Sequence, residues 1–168
     1  MNELCSIKTG KLDANKAVEN GKYPFFTCGK ETLRIDDYAF DGDAILLAGN
    51  GDVGQTKIYS GKFNAYQRTY VLMHFKMDYK LIRNYIDLLI EKVVNVELQG
   101  GAMPYIKLQT LENLKFYIST DKKEQQAIAN ILSQADKEIE LLQKDLEEEK
   151  NKKKALMQLL LTGIVRVV

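Results

Sequence analysis

The chain is short of what several common function classes require. Its 168 residues contain one histidine, His74, and two cysteines, Cys5 and Cys28. Neither cysteine has a CxxC neighbour, so no zinc ligand set can be assembled, and two are too few for a disulfide framework. No apolar run approaches the roughly 18–20 residues of a membrane span, and Met1–Gly10 lacks the basic start and apolar stretch of an export signal. A reducing cytoplasm is therefore the expected compartment. No GxSxG elbow and no HExxH are present. An excess of one charge is missing too: 24 Lys plus Arg against 23 Asp plus Glu leave a net charge of +1. Nucleic-acid binders often carry a clear basic excess, so such a reading has to rest on local pattern. What is present is ordinary for a globular protein, with 45% hydrophobic and 28% charged residues, which excludes wholesale disorder.

The chain divides near Ser119. Before it, short apolar segments alternate with glycine-marked turns. After it there is no proline and one glycine, Gly163. Strands are expected at Tyr23–Cys28, Ala44–Ala48, Gln55–Tyr59, Tyr66–Phe75 and Asn113–Ile118. In Tyr66–Phe75, Tyr66, Arg68, Tyr70 and Leu72 alternate with Gln67, Thr69, Val71 and Met73, which suits a sheet with one face better buried. Over Asp78–Val94 the period changes. Leu81, Ile82, Tyr85, Ile86, Leu89, Ile90 and Val93 recur at helical spacing behind Asp78 as N-cap. Gln99–Pro104 is an irregular loop.

Asp121 followed by Glu124 reads as a capping-box-like helix start. Ile128, Leu132, Ala135, Ile139, Leu142 and Leu146 then step by four and three residues; the count passes through Glu149 and Lys153 and resumes at Leu156 and Leu160. This heptad seam with a charged interruption is about 60 Å long at 1.5 Å per residue. In a parallel pair Glu149 would meet Glu149 and Lys153 would meet Lys153. An antiparallel pair centred near Asn151 sets Glu149 against Lys153, Leu146 against Leu156 and Leu142 against Leu160. The alternative is a solvated midsection within Glu147–Lys154. The expected fold class is α+β: a mixed, β-rich globular domain over residues 1–119, then a long coiled-coil helix and tail over residues 120–168.

Three constellations invite chemistry. Gly49-Asn50-Gly51-Asp52-Val53-Gly54 matches GxGxxG, but the residues after it are strand-like, so no helix N-terminus awaits a pyrophosphate and a glycine-rich β-turn is the better reading. His74 sits in an apolar alternation and reads as structural; Asp36, Asp37, Asp41 and Asp43 flank turns. Gln55–Arg68 differs in kind: Lys57, Lys62 and Arg68 are interleaved with Tyr59, Asn64, Tyr66 and Gln67. Cations suit phosphates, and Asn, Gln and Arg suit the donor and acceptor edges of bases. Gln99, Met103, Tyr105 and Lys107 could extend the same face. On composition alone an ordinary polar hairpin explains these residues equally well.

Several further motifs follow one another along the chain. They are Leu4-Cys5-Ser6-Ile7-Lys8-Thr9-Gly10-Lys11, Tyr23-Pro24-Phe25-Phe26, Asp41-Gly42-Asp43-Ala44-Ile45-Leu46-Leu47-Ala48-Gly49-Asn50-Gly51 and Gly100-Gly101-Ala102-Met103-Pro104-Tyr105-Ile106. Glu124-Gln125-Gln126-Ala127-Ile128-Ala129 and Lys153-Lys154-Ala155-Leu156-Met157-Gln158-Leu159-Leu160-Leu161-Thr162-Gly163 complete the series. Taken in order, they resemble the specificity subunit of a type I restriction-modification system. Where the family often has prolines before Glu-Gln, this chain has Ser119-Thr120-Asp121-Lys122-Lys123. The resemblance implies a non-catalytic target recognition domain that binds double-stranded DNA and directs a separate adenine methyltransferase, which uses S-adenosylmethionine, and a restriction motor subunit. Complete family members carry two recognition domains and two long helices, so the resemblance implies a half-length form or a distal half. A homodimer through Leu142, Leu146, Glu149, Lys153, Leu156 and Leu160 would rebuild the whole and read a bipartite palindrome. The competing class is a coiled-coil homodimeric scaffold that does not read DNA.

Overall fold

The computed structural model of the protein describes residues 1–98 and 105–166. It divides into two compact units, Met1–Gln126 and Ala127–Val168. The first is α+β. Its strands are β1 (Ser6–Thr9), β2 (Tyr23–Phe26), β3 (Thr32–Ile35), β4 (Phe40–Ala48), β5 (Thr56–Ala65) and β6 (Thr69–Met73), and its helices α1 (Tyr79–Leu98) and α2 (Leu108–Glu112); α3 (Lys122–Leu161) starts here and forms most of the second unit. The sheet order is β1-β6-β4-β5-β2-β3. Neighbours are antiparallel except β2 and β5, which run parallel with Phe25 beside Asn64 and Phe26 beside Ala65.

Central strand β4 is buried on both sides, because Ala44–Ala48 offers no polar residue to either face. On one face Ile45 and Leu47 join Tyr70 and Leu72 beneath Ile82, Ile86 and Ile90 of α1. Those isoleucines recur every fourth residue and so form one stripe of the helix. Asp78 caps α1 as expected, its Oδ1 accepting from Lys80 N at 2.8 Å and Leu81 N at 3.1 Å. On the other face Ala44, Leu46, Val71 and Met73 meet Phe26, Phe63 and Ala65, with Tyr59 and Phe40 packed against them.

The second core exists because the β4–β5 hairpin bends back on itself. β5 starts opposite Leu47, yet just after its end Tyr66 N donates to Phe26 O (2.9 Å) and Arg68 O accepts from Gly49 N (3.0 Å). A straight ten-residue strand would carry the chain about 33 Å away. Gly42 and Gly61 face each other across this ladder, both at φ +124°, a conformation that costs a residue with a Cβ dearly. Phe63 lies in the hollow of the bend, stacked on Phe40 with centroids 5.2 Å apart and edge-on to Phe26 and Tyr59 at 5.6 Å each.

Several sequence expectations need correction. Strand Tyr66–Phe75 is shortened to β6, since Tyr66–Arg68 turns and Thr69 N donates to Tyr66 O at 2.9 Å. All five β6 residues are buried; the alternation is real, but both faces are covered. Strand Gln55–Tyr59 instead runs on to Ala65. The edge strands β1 and β3, four residues each, are too short to show a period. Asn113–Ile118 is not a strand. Leu114 and Phe116 pack on the first core, and carbonyl groups here find partners other than a ladder: Glu112 O and Leu114 O accept from the Met1 amino group at 3.2 and 3.1 Å, and Tyr117 O from Tyr85 Oη at 3.1 Å.

Helix α3 starts where the capping signal predicts, but the box closes through a third residue. Asp121 Oδ1 accepts from Lys123 N at 2.8 Å, while Ser119 Oγ accepts from Asp121 N at 3.1 Å and donates to Glu124. Over the second unit the seam leucines are open to solvent, with Leu142 60%, Leu146 55%, Leu156 56% and Leu160 42% exposed. No helix of the described residues is long and apolar enough to cross a membrane.

Replacing Gly61 with alanine should destabilise the first unit by roughly 1–2 kcal/mol, the cost of a Cβ at positive φ. A urea unfolding midpoint unchanged from the parent would show that the bend does not depend on this glycine.

Candidate nucleic-acid interface

The segments that carry Tyr66, Gln67, Arg68 and Tyr105 meet at one end of the sheet, around Gly49. The GxGxxG stretch is the β4–β5 turn, and β5 rather than a helix follows it. A Cβ on Gly49 would stand 2.6 Å from Arg68 O, so glycine there serves close backbone packing. Gly49 N donates to Arg68 O at 3.0 Å, and Gly49 O accepts from Ile106 N at 2.9 Å. Tyr70 Oη donates to Ile106 O at 2.6 Å, and burial pushes this phenol's pKa up. The buried Cys28 thiol donates to Arg68 O at 3.2 Å, and Cys28 O accepts from Asp52 N at 3.1 Å. Four chain segments are thus tied through backbone atoms.

On this frame the exposed side chains of Gln67 and Arg68 project from a pinned turn, since Gln67 N also donates to Leu12 O at 2.9 Å. Tyr66 is half-buried and bridges to Leu12. Tyr105, 49% exposed, flanks the anchored Ile106, and the Lys107 ammonium lies 5.8 Å from the centre of its ring. A fixed backbone with free polar tips is the arrangement that base-edge readout asks for, because geometry is then set before binding. Gln99 and Met103 lie outside the described residues.

The remaining candidates separate. Lys57 turns its ammonium onto Gly29 O (2.8 Å) and Lys30 O (2.6 Å), holding the β2–β3 loop. Burial lowers its pKa, and the attraction of Asp52 acts the other way. Lys62 lies further along β5 and is exposed, its ammonium 4.6 Å from the centre of the Tyr38 ring. Hydrogen bonding to Tyr38 is the main cause that raises its pKa, with attraction to Tyr38 and to Asp41, its partner across the ladder, adding to it. Tyr59 is half-buried in the aromatic core.

Asn64 requires a correction. It is only 4% exposed, its Oδ1 accepts from Ala65 N at 2.9 Å, and its Nδ2 donates to Asp37 O at 3.2 Å. Its amide ties β5 to the β3–β4 connection, so it has no edge to offer a base. Tyr38, whose ring meets Lys62 and stands 5.1 Å from that of Tyr23, was hidden in an aspartate-rich stretch that reads as a turn. Only the β4–β5 pairing, in which Ala39 N donates to Phe63 O at 3.0 Å and Asp41 lies opposite Lys62, brings residues 38 and 62 together. Among the described residues, no three His, Cys, Asp or Glu side chains are grouped to hold a metal.

Comparison with known proteins adds independent information. Residues 1–150 match the family described as the type I restriction modification DNA specificity domain. The chain is 46% identical over 111 residues to the type I restriction enzyme EcoDI specificity subunit of Escherichia coli, an alignment that covers 64% of this chain and 24% of that protein. Among solved structures it resembles the type I restriction-modification S subunit from M. genitalium (TM-score 0.73, 22% identity, 94% of this chain and 43% of that one). It also resembles the HsdS subunit from Thermoanaerobacter tengcongensis (TM-score 0.60, 20% identity, 93% and 41%). The chain therefore spans about a quarter of the curated relative and about two fifths of the solved chains.

Replacing Asn64 with alanine should cost about 1–3 kcal/mol, since it removes the side-chain partner of the buried Ala65 N–H and the tie to Asp37 O. A variant as stable as the parent by urea denaturation would return Asn64 to the side chains available for contact.

Proposed function

The chain belongs to the type I restriction modification DNA specificity domain family, and from that premise we propose that it is a DNA-reading component without catalysis of its own. It directs a separate adenine methyltransferase, which supplies S-adenosylmethionine chemistry, and a restriction motor to a bipartite site on double-stranded DNA in the cytoplasm. The observation that carries this reading is the family match over residues 1–150, which takes in the whole sheet and most of α3. The pinned turns around Gly49 support it: Gln67 and Arg68 reach base edges or phosphates from a rigid backbone, and Tyr105 offers an aromatic face beside them. Lys62 meets a phosphate further along β5.

We propose further that two copies pair through antiparallel α3 helices. A row of leucines 42–60% exposed supports the pairing, because apolar side chains at heptad spacing gain by being buried against a second helix. Glu149 already pairs with Lys152 of its own helix, so the Glu149–Lys153 contact of the seam adds to an existing charge network and selects orientation more than it stabilises. Two identical recognition domains related by a two-fold axis would read a split palindrome with an unread spacer.

The decisive experiment is a methylation map of a test genome in cells that express this chain with its methyltransferase partner. Adenine methylation at a split palindrome, lost when this chain is omitted, is the expected result. A split asymmetric motif would replace the symmetric pair with one that recruits a different second half. No new methylation from a folded, cofactor-competent partner would favour the scaffold class instead. Within the complex, Lys62→Ala should weaken binding to all sequences alike and lower the slope of log K against log salt by about 1. An unchanged slope would remove Lys62 from the phosphate contacts.

A further inference from the structure

At the β1 edge of the sheet, on the face of the aromatic core, lies a recess of about 190 Å³ walled by Phe40, Val71 and Met73. Its polar lining is Ser6, Lys8, Asp41 and His74. We propose that this recess is a phosphate subsite in which the Lys8 ammonium and the His74 imidazole, the latter positioned by Ser6, hold one backbone phosphate of double-stranded DNA. The inference rests on the DNA-reading function proposed above and adds a contact to it.

Ser6 and Lys8 are two residues apart on β1 and so point to the same side. The Ser6 hydroxyl donates to Met73 O at 3.1 Å and lies 2.9 Å from His74 Nδ1, so it is held in place while the imidazole is steered over β1. Among the described residues, His74 is the one non-glycine with positive φ, at +56°. It is exposed, so no core packing demands that conformation. A backbone outlier that aims a polar ring into a recess is the kind of strain found at binding sites.

Charge favours an anion there. Asp41 is the acid of the recess, and it sits opposite Lys62, whose ammonium it attracts. Lys62 stands directly across the ladder from Asp41 and partly offsets it, which leaves Lys8 as the cation of the lining. At roughly 30 Å³ per water the volume equals about six waters, enough for a phosphate group and part of its hydration. Lys62 lies outside the lining but directly across the ladder from Asp41, so the two contacts are neighbours on the sheet.

The test uses the full complex of this chain with its methyltransferase partner on a duplex carrying the mapped motif. Lys8→Ala should weaken binding about three- to tenfold near physiological salt and lower the salt slope by about 0.9, the signature of one lost phosphate. His74→Gly removes the imidazole and relieves the positive φ. It should therefore melt no lower than the parent yet bind DNA more weakly. Inorganic phosphate should compete with the duplex for the parent complex more effectively than for Lys8→Ala. If the parent binds and both variants match it in affinity and slope, the subsite is wrong while the DNA-reading function stands. If phosphate perturbs the Ser6, Lys8 and His74 amide resonances but Lys8→Ala leaves duplex binding intact, the recess holds a free anion and the DNA assignment is overturned. If the parent complex shows no salt-dependent duplex binding at all, both readings fall together.

Discussion

Burial of strand β4 on both faces is the constraint on which the rest of the first unit depends. Five consecutive apolar residues, Ala44–Ala48, need a cover on each side. Helix α1 provides one with a stripe of three isoleucines. Among the described residues no helix packs in the second core; the sheet covers that face by bending, so that Phe63 and Phe26 fold over Ala44, Leu46 and Val71. Each large apolar side chain removed from water contributes about 1.5–3 kcal/mol, which easily outweighs the cost of bending a hairpin at a glycine pair.

The same bend builds the candidate interface. It returns the β5–β6 turn to Gly49, where one residue accepts from Ile106 and donates to Arg68, while the Cys28 thiol reaches the same Arg68 carbonyl. Cys28 thus serves as a small buried donor. The thiol of Cys5 is equally unsuited to reactivity, since burial raises its pKa to about 11 and the thiolate is the reactive form. Backbone contacts of this density hold the frame without help from the exposed side chains of Gln67 and Arg68.

The long helix obeys a different logic. Its first turn is secured locally by Ser119, Asp121 and Glu124, and along its middle Lys144–Glu148, Lys150–Glu147 and Lys152–Glu149 lie at the i,i+3 and i,i+4 spacings that support an exposed helix. Its leucines receive no such local satisfaction. They are the apolar surface that the proposed second copy would cover.

Helix α1, helix α3 and their aspartate caps, the strand at Ala44–Ala48 and the turn nature of the GxGxxG stretch were legible in the sequence because each depends on neighbours within a few residues. Period, capping and glycine placement are local, and local physics writes them into the order of residues. The length of β5, the edge strands β1 and β3, the loss of a strand at Asn113–Ile118 and the burial of Asn64 were not legible, since they depend on which distant segments come to lie alongside. Likewise, Lys57, Lys62 and Arg68 share one stretch of sequence but have different surroundings in space, one turned onto carbonyls, one set over Tyr38 and one projecting from a pinned turn. By itself the sequence determined the α+β class, the long helix and the kind of residue available for nucleic-acid contact. Only the tertiary structure decided which of those residues face outward, because that choice is made by a bend whose driving force, the burial of Phe63 against Phe26 and Phe40, acts between residues far apart in the chain.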